Sequence, residues 1–171
     1  MKQEIIKDII DALDRVDEET TDLVISLANR KSDIDIMSEF NQLSVQVLED
    51  LERIGKKYGC EGVCNMKHHR ETLEHALKIN ARLPIDKFSV LILLHAAEVY
   101  NEEEKYFMEL PMPDVDAKAG NKFTVIKCEP FKDVWKLLDK RDKRMVVDKT
   151  ILLTTWAHAY FIKNVLSSLK K

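Results

Sequence analysis

From Met37 to Tyr58 the apolar residues fall at steps of three and four: Met37, Phe40, Leu43, Val47, Leu51, Ile54 and Tyr58. A strand would alternate, whereas this spacing keeps one stripe on one side of a helix for about six turns, close to a heptad seam. A seam of that length has to be buried against other helices. Its ends are marked as well. Ser32-Asp-Ile-Asp can cap the start, with the hydroxyl accepting a backbone N–H and acids at the positive helix end, and the glycines of GKKYGCEG close the other end.

The surrounding segments follow the same rule. Ile5, Ile6, Ile9, Ile10, Leu13 and Val16 form a double stripe that predicts an amphipathic helix over 2–18. A shorter apolar segment, 23–28, leaves its type open. A further helix is expected from about Val63 to Leu83, where Pro84 stops it and opens the next. That next helix is expected to run unbroken over 84–110, apolar all round in its first half. The stretch around 111–129, with Pro111, Pro113, Gly120-Asn121 and the β-branched FTVIK run, reads as one long irregular loop compatible with a small hairpin. Phe131, Val134, Trp135 and Leu138 then predict a short helix, and a last helix reaches about Leu169. The sum, with only 4 Gly and 4 Pro in 171 residues, is an all-α, single-domain antiparallel bundle of five or six helices spanning 1–171.

Charge and cysteine content narrow the surroundings. A net charge of -3 gives no basic field for nucleic acid or an anionic membrane. Three cysteines form no disulfide framework and point to a reducing compartment, so the cytoplasm is expected. The N-terminus lacks the apolar core of a signal peptide, and the run Val90–Ala97 is far short of the ~20 residues that span a bilayer.

The densest group of chemically able side chains is KYGCEGVCNMKHHRETLEH, Lys57 to His75. Cys60, Cys64, His68 and His75 are donor types that zinc accepts, and they are the candidate metal ligands. Cys60 and His68 on one straight helix would lie about 12 Å apart, so Cys60 could join only from the glycine loop, with Cys128 as a further ligand. On a helical wheel Met66, His69, Leu73, Ala76, Leu77 and Asn80 face inward, while Cys64, His68, Glu71 and His75 form an outer stripe. A solvated polar face is the simpler account of that stripe. A second candidate group is His95, Glu98 and Glu102, one face of a helix that could supply half of a bundle-core metal site, with His158 as partner. The simpler account is a buried neutral His95 hydrogen-bonded to a neighbour.

Arg70-Glu-Thr-Leu-Glu-His75 has the form Arg-x4-His, which resembles the signature of the HEPN family of helical-bundle ribonucleases and nucleotide-binding proteins. The resemblance implies an Arg that stabilises phosphodiester charge and a His that moves a proton, usually paired across a dimer. Glu71 departs from the small polar residue the family prefers. A continuous helix also sets Arg70 and His75 about 140° apart. The run KLLDKRDKRMVVDK mixes six cations with three acids and reads as a solvated junction. The expectation is therefore a non-enzymatic interaction or regulatory module that binds a protein partner, a second copy or a small ligand in a core pocket. Helices 2–18 and 33–58 are its candidate interfaces. An Arg-His ribonuclease and a metal-binding bundle are the alternatives.

Overall fold

In a computed structural model, which describes residues 2–60, 66–109 and 129–167, Ser32 caps the seam helix as its sequence predicts. Its hydroxyl accepts the Asp35 N–H at 3.1 Å, and helix α3 runs from Asp33 to Lys57. Gly59 ends it at φ 69°, a conformation that costs a residue with a Cβ about 1–2 kcal/mol. Gly55 does not share that task, being buried inside the helix.

Before α3 come α1, Gln3–Leu13, and α2, Glu18–Arg30. The undecided 23–28 segment is thus helical, started by Asp17, whose carboxylate accepts the Thr20 N–H at 3.1 Å. After α3 comes α4, Met66–Ile79. It ends four residues earlier than Pro84 suggests, because the Asn80 side chain takes the Arg82 N–H at 3.0 Å and turns the chain.

The helix expected over 84–110 is not continuous. It divides into α5, Leu83–Ile92, a 3-10 turn at Leu93–His95, α6, Ala96–Tyr100, and α7, Glu104–Glu109. The second break has a clear cause. The Glu103 N–H reaches back to the Glu98 carbonyl at 3.0 Å and the Glu102 N–H to the Val99 carbonyl at 3.1 Å, a Schellman closure with Glu102 at φ 53° where glycine is usual. The chain then resumes at α8, Glu129–Leu137, and α9, Lys140–Phe161, which passes into a π-helical turn over Ile162–Leu166. The irregular loop and hairpin expected at 111–129 lie outside the described residues, except that Glu129 already belongs to α8.

The architecture is an all-α bundle centred on α9, which packs against α2, α3, α5 and α6. The main core gathers Ile9, Ile36, Phe40, Ile85, Leu93 and Phe161, each at most 2% exposed. The stripes of α1 and α3 are spent within the chain: α1 lies on the 3-10 turn and α6, and α3 on α4 and α9. A second, smaller cluster of Ile54, Cys60, Val134 and Leu138 fastens α8 to the end of α3. Beside it, Asp142 accepts hydrogen bonds from Lys57 at 2.8 Å and Tyr58 at 2.9 Å. Those two donors hold its carboxyl below the usual carboxylate range against the opposing effect of burial. Among the described residues no helix is long and apolar enough to cross a membrane.

Candidate functional site

Between the main core and the smaller cluster lies a cleft of about 570 Å³, to which α3 to α9 all contribute. Its apolar lining comes from Leu48 and Leu51 of α3, Ile92 of α5, Val99 of α6, Phe107 and Met108 of α7, and Val146 and Val147 of α9. Met66, His69 and Trp135 complete the lining. The charged residues are Glu102, Glu104, Lys132, Lys140, Lys143 and Arg144. The cleft exists because of the Schellman break. A straight 84–110 helix could not turn α7 into a separate wall.

Polar contacts hold these walls in place. Trp135 donates its indole N–H to Glu104 at 2.8 Å, and the Lys143 ammonium stands 3.7 Å from the same carboxylate and 5.5 Å from the centre of the Trp135 ring. One clasp thus joins α7, α8 and α9. Arg144 bridges Glu102 at 2.5 Å and Asp148 at 2.6 Å, which fixes the break in α6 and α7 to α9. These two acids hold the Arg144 pKa above its ordinary value. Thr150, also in the lining, donates its hydroxyl to its own helix at the Val146 carbonyl, 2.8 Å away, so it offers the interior little polarity.

The residues singled out in the sequence are dispersed. Cys60 is buried in the smaller cluster, its thiol 3.4 Å from the Tyr58 carbonyl. His68 and His75 are on the exposed side of α4, with the His68 ring 5.9 Å from that of His69. Cys64 and Cys128 lie outside the described residues. His69, on the inward face, lines the cleft. Arg70 donates to Glu52 at 3.0 Å and to Glu74 at 3.3 Å, so its charge is directed at α3 and its own helix, while His75 is exposed on the continuous α4.

His95, Glu98, Glu102 and His158 likewise take separate partners. His95 shares a 2.7 Å hydrogen bond with Tyr106 and His158 a 3.0 Å one with Tyr100. Glu98 accepts from Arg15 at 2.5 Å. Burial pushes the Glu98 carboxyl up, but the Arg15 hydrogen bond and charge outweigh it and the net shift is downward. Among the described residues no group of three or more His, Cys, Asp or Glu is placed to hold a metal ion.

Comparison with known proteins adds kinship. The chain is 39% identical over 160 residues to the uncharacterised protein R465 of Acanthamoeba polyphaga mimivirus, in an alignment covering 94% of this chain and 89% of that one. The two belong to one family. No family model matches the chain, and no solved structure matches it.

No motif announces the cleft. The inward placing of Met66 and His69 on the helical wheel and the run Lys136–Lys149 are weak signals. That run is a charged junction with paired ions, as its mixed composition suggests, and three of its cations line the cleft together with Val146 and Val147.

Proposed function

We propose that the chain is a non-enzymatic binding module, a small-ligand carrier or sensor, and that its ligand is a largely apolar molecule held in the cleft. The supporting observation is the cleft itself, with apolar walls and a volume of about 570 Å³, inside the range of roughly 300–1,000 Å³ typical of small-molecule sites. At ~30 Å³ per water-sized group it has room for about 19 non-hydrogen atoms. A ligand of that size, at ~0.3 kcal/mol per atom, would bind with a dissociation constant of some tens of micromolar.

N-phenyl-1-naphthylamine, a neutral dye small enough for the cleft and whose emission rises in apolar surroundings, tests the reading. Saturable binding at one site is expected, weakened at least tenfold in Val147→Trp, where the added ring occupies the cleft. Far-ultraviolet circular dichroism and the melting temperature report whether that variant is folded. Absent dye binding, or equal binding to a folded Val147→Trp, contradicts the proposal.

A protein partner or a second copy is the second reading, favoured by Leu23 and Ile34, which are 67% and 62% exposed on either side of the turn at Lys31. Light scattering is expected to give a dimer mass that reverts to monomer in Leu23→Ser. A monomer at every concentration removes the self-association form of this reading.

A further inference from the structure

We infer that the ligand of this cleft is an uncharged hydrocarbon by class, with no group that has to be hydrogen-bonded inside the protein. The inference rests on the cleft being the binding site. It is carried by the polar side chains of the lining, which are already taken up within the chain. The Trp135 indole donates its N–H to Glu104 at 2.8 Å, and the Thr150 hydroxyl donates to the Val146 carbonyl at 2.8 Å. His69 and Lys132 are likewise engaged. A ligand hydroxyl or amide buried beside these groups would give up its water and compete with bonds that already exist. Leu48, Leu51, Ile92 and Val147 instead offer a hydrocarbon surface, and the unbranched thioethers of Met66 and Met108 can adjust to its shape.

The charges of the lining balance as well. Lys143 stands 3.7 Å from Glu104, and Arg144 lies between Glu102 at 2.5 Å and Asp148 at 2.6 Å. Lys140 is exposed in the first turn of α9, where water and salt screen it. With Lys132 already engaged, the three other cations stand with three carboxylates and no net charge is left over for a ligand. An anion reaches Lys143 or Arg144 only by competing with Glu104, Glu102 or Asp148. A cation reaches those acids only by competing with Lys143 or Arg144. Either ion would also give up hydration on entering the apolar interior, so both signs of charge are disfavoured and an uncharged molecule is not.

Four molecules that share one ring system separate the possibilities at pH 7: 1-methylnaphthalene, 1-naphthylmethanol, 1-naphthoate and 1-naphthylmethylammonium, each used below its solubility limit to displace N-phenyl-1-naphthylamine. The hydrocarbon is expected to displace the dye at a concentration at least tenfold lower than the carboxylate or the ammonium, and no higher than the alcohol. Glu104→Gln keeps an acceptor for Trp135 but leaves Lys143 without its carboxylate. In that variant the naphthoate is expected to gain at least fivefold on the hydrocarbon. An advantage under tenfold over either ion, or an alcohol that displaces the dye at a lower concentration than the hydrocarbon, overturns the inference and leaves the cleft reading standing. A gain under fivefold in Glu104→Gln, shown to be folded by circular dichroism, overturns charge pairing as the cause. No displacement by the hydrocarbon, with the dye still excluded by Val147→Trp, overturns the ligand class, whereas failure of the dye itself to bind overturns the cleft reading.

Discussion

Between pH 7 and pH 4 the folded chain is expected to lose about 3 kcal/mol of stability through His158 alone. This imidazole is 1% exposed, and burial lowers its pKa from 6.5 to about 4. Above pH 6.5 it is neutral whether the chain is folded or not. As pH falls below that value the unfolded chain binds a proton that the fold refuses, and unfolding gains free energy until about pH 4, where both forms are protonated. The sign is that of a buried base, with stability present at high pH and lost on acidification. Urea unfolding followed against pH in wild type and His158→Gln checks it, since glutamine can still bond Tyr100 but does not titrate. The gap between the two curves should change by about 3 kcal/mol across this window. Parallel curves would mean that His158 is not shielded. Glu98 and Asp142, both held below the usual carboxylate range, lose their contributions at lower pH and do so in both proteins.

Removing the ring of Phe161 is expected to destabilise the fold by about 4 kcal/mol, the sum of lost transfer energy and an unfilled cavity. Phe161 is fully buried where α9 meets the main core, and that core includes residues of α1, α2, α3 and α5. For a chain of this size such a loss lowers the melting temperature by roughly 10 °C. Phe161→Ala compared with Ile79→Ala, a truncation at a site 71% exposed, separates burial from hydrophobicity as such. The second change should cost less than about 0.5 kcal/mol. Similar losses at the two sites would place the core elsewhere.

Local signals were enough for much of the fold. The α3 seam, its Ser32 cap and its Gly59 stop are all encoded within a few residues of where they act, and each is found where periodicity and turn chemistry put it. The break at Asn101–Glu103 is different. Residues 98–107 read EVYNEEEKYF, with no Gly or Pro, so the local sequence favours continuation. The contacts that accompany the break come from distant residues: Arg15 on Glu98, Arg144 on Glu102 and Trp135 on Glu104. A periodicity argument cannot see such pairs.

The candidate site was illegible for the same reason. The densest chemical stretch, Lys57–His75, has described members that go to different surroundings: Cys60 to an apolar cluster, Arg70 to Glu52, His68 and His75 to the exposed side of α4, and Met66 and His69 to the cleft. Most of the cleft comes instead from residues outside that stretch, in a lining that draws on seven helices, and its shape depends on a break that the sequence does not mark. Sequence spacing identifies what can share a helix face. It does not identify what meets across faces.

The most direct test of the central claim is methyl-resolved NMR of the full chain titrated with N-phenyl-1-naphthylamine. The account predicts saturable shifts at Leu48, Leu51, Met66, Met108, Val146 and Val147, with Leu23, Ile34 and Ile79 unmoved. Shifts confined to those three exposed side chains, or the absence of any saturable change, would contradict it.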